Sequence, residues 1–131
     1  MLKTKCILLP REIDDGKRIS IMSRHTLEDG VTPDLRITPD KFDDWLKIFA
    51  PPQRLVGDYY KRGLSFEDYR RSYLEYLRSF QLSREVEKFS RRCLTENLTV
   101  MCIEEDPIFC HRSIFALECI RYFPNLNLCI N

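Results

Sequence analysis

Apolar residues along this chain switch between two periods, and the switches mark its elements. Residues 2–9 (LKTKCILL) and 17–24 (KRISIMSR) are short runs of strand formers, the first closed by Pro10 and the second reached through the charged turn REIDDG. That turn is too short for a parallel crossover, which takes a dozen or more residues, so the two strands are antiparallel if they are neighbours. Residues 25–37 (HTLEDGVTPDLRI) carry neither period and read as a long polar loop leaving a strand's carboxyl end. Thr38, Pro39 and Asp40 then supply an N-cap, a first-turn proline and a first-turn acid. Phe42, Trp45, Leu46 and Phe49 follow at helical spacing as far as Ala50-Pro51-Pro52. A short helix over about residues 53–62 stops at Gly63. Ser65 caps a third, whose face is Phe66, Tyr69, Tyr73, Tyr76, Leu77 and Phe80, and Ser83 caps a fourth built on Val86, Phe89, Cys93 and Leu94. Leu98 to Ile103 is a third strand, a helix opens at Asp106-Pro107, and residues 126–130 form a fourth strand after Pro124-Asn125. One helix joins these last two strands, so that pair is predicted to be parallel with a right-handed crossover. The pattern predicts an α/β fold: one domain over residues 1–131, with a small mixed, partly parallel, four-stranded sheet and about five helices packed on it.

The stretch LTVMCIEEDPIFCHRSIFALECIRYF, residues 98–123, carries the densest chemistry. With Asp106 at the N-cap and Pro107 at the first helical position, Cys110, His111 and Arg112 fall in a helix's first turns beside a strand's carboxyl end. In α/β folds ligands collect there, and free N–H groups attract anions. On a helical wheel Arg112 lies near the middle of the apolar arc of Phe109, Phe115, Ala116, Cys119, Ile120 and Phe123. A guanidinium in that position needs a partner. The candidates are Glu104 or Glu105 in the preceding turn, a carboxylate elsewhere, or an anionic ligand gripped in the bidentate manner that arginine favours. Counted from Pro107, Cys110 stands about 160° round the wheel from Arg112, which separates the two side chains. As a nucleophile its thiol would rely on the lowered pKa that a helix N-terminus and a neighbouring His provide. The polar loop begins Ser23-Arg24-His25-Thr26 and becomes a second wall of the same site if strands two and three are neighbours. Otherwise it is a solvated loop.

Composition narrows the partners. With 44% hydrophobic and 31% charged residues in 131, the chain describes a globular domain with one core. Its 21 Lys+Arg against 20 Asp+Glu lack the basic excess that gripping duplex nucleic acid requires. No apolar run approaches the roughly 20 residues of a membrane span and the N-terminus has no signal-peptide layout, so a cytoplasmic location without a membrane partner is expected. Six cysteines, at 6, 93, 102, 110, 119 and 129, contain no C-x-x-C pair, and His25 and His111 are the only histidines. Reduced cysteines, no metal centre and no cofactor are therefore expected. Cys6, Cys102, Cys119 and Cys129 fall in strands or on an apolar helix face, where free Cys acts as a small hydrophobe. The one grouping that could hold a metal is Cys110, His111 and His25. The run YRRSYLEYLRSF could stack on single-stranded nucleic acid. It reads more simply as an aromatic helix face laid on a sheet, with Arg70, Arg71 and Arg78 solvated.

The segment VMCIEEDPIFCHRSIFALE resembles the signature of the domain-of-unknown-function 488 family, an apolar strand with a Cys and a nearby acid, then Cys-His-Arg-Ser opening a helix. WLKIFAPPQRLVGDYY and FEDYRRSYLEYLR resemble the family's Trp/Leu-Ala-Pro segment and aromatic helix. SRHTLEDG resembles the end of strand two in one subgroup, and the likeness covers most of residues 17–120. By that resemblance Arg24, Cys102, Glu104, Cys110, His111 and Arg112 are the matching positions. The family's commoner Asp-Val-Arg is Met-Ser-Arg here and lacks the acid. The resemblance implies little about the reaction, and three classes of function stay open. The leading expectation is a protein, an enzyme or a sensor, that binds a small anionic ligand, phosphate- or nucleotide-like, at the ends of strands two and three. Its chemically active groups would be His25, Cys110 and His111, and its ligand-binding ones Arg24, Thr26, Glu104 and Arg112. The alternatives are a nucleic-acid-associated module acting on a base or an end, and a structural or interaction protein in which Cys-His-Arg only holds the fold.

Overall fold

The computed structural model describes residues 1–131. Five strands form one parallel sheet: β1 (Leu2–Cys6), β2 (Lys17–Ser20), β3 (Asp44–Trp45), β4 (Leu98–Cys102) and β5 (Leu128–Cys129), in the order β3-β2-β4-β1-β5. The α/β class therefore holds, with two differences: the sheet has five strands rather than four, and it is wholly parallel rather than mixed. β1 and β2 are not neighbours, so the antiparallel pairing expected of them does not arise. β4 lies between them and pairs in parallel with both. The connection 7–16 spans that gap with a single 3₁₀ turn, Ile13–Asp15. It re-enters the sheet at Gly16, whose φ is +62° and where a Cβ would sit 1.9 Å from the Asn97 carbonyl oxygen. Only glycine fits. The last two strands run parallel as expected, but β1 separates them.

The helix expected from Thr38 to Phe49 does not form. Pro39–Lys41 and Lys47–Phe49 are isolated 3₁₀ turns, and between them lies the edge strand β3. Pairing with β2 outweighs local propensity. Asp43 N–H donates to the Arg18 carbonyl, Leu46 N–H donates to the Ser20 carbonyl, and the Asp43 carboxylate accepts from Arg18 N–H at 2.8 Å. The Trp45 indole N–H donates to the Met22 carbonyl at 2.7 Å. Four α-helices follow rather than five: α1 (Gln53–Lys61), α2 (Phe66–Leu77), α3 (Phe80–Arg92) and α4 (His111–Tyr122). Ser65 caps α2 as expected, accepting from Asp68 N–H. α3 starts one turn early at Ser79, and Ser83 spends its hydroxyl on the Phe80 carbonyl. The apolar core lies between the helices and one face of the sheet, with Leu2, Ile19, Leu98 and Val100 meeting Tyr73, Phe89, Phe115 and Cys119. On α2, Tyr69 and Tyr73 are buried, while Arg70 and Arg71 pair with Glu67 and Asp68 of the same helix.

The opposite face of the sheet is covered by the 11–16 turn and carries charge. Strand alternation turns Lys3, Lys5 and Arg18 to this side. All three are buried, and they converge on the fully buried Asp15 at 3.1, 3.2 and 3.4 Å. Burial pushes the Asp15 carboxyl up, but the Glu12 N–H and the two ammonium groups outweigh it and hold the group below its ordinary value of 3.8. A carboxyl with a depressed folded-state pKa contributes stability that is present above the unfolded value and lost as pH falls through the folded one. Asp15→Asn is therefore expected to cost about 3 kcal/mol at pH 7, because buried Arg18 loses its one ion-pair partner while Lys3 and Lys5 keep only the exposed carboxylates of Glu12 and Asp14. The difference from wild type should narrow as pH falls below about 4. Urea titrations at pH 7 and pH 3 check this, and an equal gap at both would rule it out.

Candidate functional site

β2 and β4 are neighbours, so their carboxyl ends lie side by side, and the segment after β2, the turn after β4 and the start of α4 meet there. α4 begins later than the Asp106-Pro107 cap suggests. Asp106 accepts from Ile108 N–H at 2.9 Å, but the turn it caps is a short 3₁₀ segment, Pro107–Phe109. Cys110 follows in extended conformation and is itself the N-cap of α4. The expected angular separation of Cys110 from Arg112 does not apply, since Cys110 stands outside the helical wheel. Its sulfur is bonded to that of Cys102, so this pair is neither reduced nor a set of isolated small hydrophobes. Cys6, Cys93 and Cys119 are free and buried, and Cys129 is free and exposed. Burial pushes the Cys93 thiol up to about 12.

Arg112 is fully buried and uses every N–H of its guanidinium. Nε and Nη2 donate to the Asn131 main-chain oxygen at 3.2 and 3.0 Å, Nη2 also to the Glu105 carbonyl at 3.1 Å, and Nη1 to the Glu104 carbonyl at 2.6 Å and to Cys102 Sγ at 3.1 Å. The partner sought among the carboxylates of Glu104 and Glu105 is thus their main chain. The Glu104 side chain turns away and accepts from the Tyr60 hydroxyl on α1 at 2.9 Å. Burial, then this carboxylate, raises the Tyr60 pKa.

His111, the first residue of α4, places Nε2 2.9 Å from the Ile21 carbonyl beyond β2. A carbonyl only accepts, so Nε2 carries the proton. Burial, reinforced by Arg112 and opposed by the Ile21 bond, holds this imidazole down at about 4, and the ring is neutral at pH 7. His25 belongs to a second cluster. Its Nε2 lies 2.7 Å from Ser20 Oγ, its ring stacks on Trp45 at 3.8 Å and leans on Phe42 at 4.8 Å. Burial and then the Lys47 charge lower its pKa, so it too is neutral. Arg24 makes one long bond, to the Glu28 carbonyl at 3.4 Å, and lies near enough to Asp29 for its charge to be felt there. Gly30 leaves it room, since a Cβ there would lie 2.7 Å from Arg24 Nη1. Thr26 donates its hydroxyl to the Leu27 carbonyl and its backbone bridges to Pro33.

The structure therefore joins Cys110, His111 and Arg112 through Cys102, and sets His25 with Ser20 and Trp45. His25 is absent from the grouping with Cys110 and His111, and Cys102 takes its place. Sequence reasoning missed Lys47 and the start of α1. A cleft of about 190 Å³ opens there, lined by Ser23, Lys47, Pro51, Pro52, Gln53 and Tyr76. Lys47 Nζ lies over the Trp45 ring, 4.6 Å from its centroid. The N-cap of α1 is Pro52, which offers no side-chain acceptor, so first-turn N–H groups of that helix lack a cap. Pro-Pro before a helical run was the available signal.

A family model matches residues 2–121, and its description is DUF488-N3a, the active DUF488-N3 subclade. No curated protein and no solved structure matches the chain.

Replacing Arg112 by Met strips main-chain oxygens of residues 104, 105 and 131 of these donors, at about 1–3 kcal/mol for each left dry. Relief of a buried charge offsets part of that. Arg112→Met is expected to lose about 3 kcal/mol of stability. A variant that melts at or above the wild-type temperature would show that the cage does not hold the fold.

Proposed function

The chain belongs to the DUF488-N3a family, and on that premise we propose that it is an enzyme acting on a small anionic substrate, phosphate- or nucleotide-like, taken up at the carboxyl ends of the strands. One observation carries the reading. The uncapped start of α1 opens on a cleft shared with Ser23 and Lys47, and Lys47 covers the Trp45 ring on which the neutral imidazole of His25 stacks. Free first-turn N–H groups and an ammonium are the elements of an anion site, since the helix dipole and the unpaired donors both favour negative charge. Arg24, with one main-chain partner, has N–H donors left for a ligand. The "active" in the family's description agrees with an enzyme rather than a scaffold.

His25 moves the proton. Ser20 Oγ already accepts from Met22 N–H at 3.3 Å, so its own hydrogen is free to point at His25 Nε2. That arrangement leaves the proton on Nδ1 and fixes the tautomer. Ser20 is fully buried and positions the ring. The alternative in which Cys-His-Arg is structural is favoured for Arg112 by its five internal bonds. It leaves the cleft untouched, because Lys47 and Gln53 belong to other segments.

Melting the protein with inorganic phosphate, nucleoside monophosphates and sugar phosphates tests the reading. At least one is expected to raise the wild-type melting temperature. Lys47→Ala should weaken that ligand's binding about tenfold, the worth of one charge-assisted bond, and Arg24→Ala should weaken it too. If no anion shifts the melt, or both variants keep the full shift, the proposal fails.

A further inference from the structure

We propose that, when the Cys102–Cys110 bond is reduced, the chain holds one thiophilic divalent cation of the zinc class between Cys102 Sγ, Cys110 Sγ and a ring nitrogen of His111. The inference is independent of the anion cleft. The three ligand atoms lie within 4.8 Å of one another. Tetrahedral ligands on one zinc, with bonds of about 2.0–2.3 Å, stand about 3.3–3.8 Å apart, so the groups need to move little. They come from two fixed elements, Cys102 from the end of β4, Cys110 and His111 from the start of α4. Both sulfurs are buried and converge on one point.

The surrounding contacts are those of a ligand set. His111 gives its Nε2–H to the Ile21 carbonyl, which leaves the lone pair on Nδ1. Metal-binding imidazoles are held in this way, one nitrogen on a carbonyl and the other on the ion. The Arg112 guanidinium donates to Cys102 Sγ at 3.1 Å, a bond that favours thiolate over thiol. Three protein ligands leave a fourth position for water or substrate, as in catalytic rather than structural zinc centres. The other cluster of acidic groups, Glu12, Asp14 and Asp15, has no such character, since Lys3, Lys5 and Arg18 already occupy it.

The steps balance as follows. A phosphine reductant and one water cleave the S–S bond, giving two thiols and the phosphine oxide. Each thiol then releases its proton to solvent as its sulfur bonds the cation, and His111 binds through its lone pair without proton loss. A disulfide oxidant returns the Cys102–Cys110 bond, is itself reduced to two thiols, and frees the ion.

Cobalt(II) is the probe. Protein reduced with tris(carboxyethyl)phosphine and desalted without air is expected to take up one equivalent. Thiolate-to-cobalt charge transfer and tetrahedral ligand-field bands should appear, and zinc(II) should abolish them. Cys110→Ser and Cys102→Ser should each remove the charge-transfer band at one equivalent, oxidised wild type should not develop it, and Lys47→Ala should keep it. Should a serine variant fail to fold, proton release by wild type decides: one to two protons per zinc(II) are expected in weak buffer at pH 7, one from Cys110 and the other to the extent that Cys102 is still a thiol. No charge-transfer band, a band that survives in folded Cys110→Ser, or no proton release would each overturn the proposal.

Discussion

A buried guanidinium that no acidic side chain reaches holds the business end of this fold together. Arg112 answers the desolvation of its charge through main-chain oxygens of residues 104, 105 and 131 and one sulfur, with no acidic side chain among its partners. Those acceptors lie in the turn after β4, in the segment after β5 and at the tip of β4, three pieces that share no ladder hydrogen bonds at this point. The planar fork of an arginine can reach them together, and a lysine's single nitrogen cannot.

Charge is also what closes the other side of the sheet. A five-stranded parallel sheet ordinarily has helices on both faces. Here the helices α2, α3 and α4 supply only one apolar layer. The second face is sealed by a short turn whose acid neutralises lysines and an arginine projecting from the strands. A small apolar patch of Ile7, Met22 and Met101 continues that face toward the carboxyl ends of the strands. The sheet thus grades from an ionic half to an apolar half along its own strands, and the candidate site sits at the apolar end.

How much of this was legible in the sequence depended on whether the deciding contacts were local. α1 and α2 follow from their periodicity and from Ser65. β1, β2 and β4 follow from their strand-forming runs, and Arg112 stands out as a cation on an apolar stripe. The stretch 38–49 misleads because Phe42, Trp45, Leu46 and Phe49 do keep helical spacing, while the hydrogen bonds that settle it come from β2, more than twenty residues away. Parallel order was hidden for the same reason, since nothing near β1 or β2 says that β4 enters between them. The start of α4 was misplaced by one turn because Asp106-Pro107 is a sound cap for either kind of helix. That error concealed the meeting of Cys102 with Cys110, eight residues apart. The partners of Arg112 had no signature at all, because every residue type carries a carbonyl.

The chain has one tryptophan, and it lies against the imidazole that the proposed chemistry uses. Trp45 stacks on His25, receives the Lys47 ammonium over its ring and anchors its own N–H on the Met22 carbonyl. Emission from the whole protein in the tryptophan band therefore originates a few ångströms from the cleft. Protonating the imidazole, or drawing Lys47 toward an anion, changes the field on that one indole. The molecule carries a built-in optical gauge of its own site, and no label has to be introduced to read it.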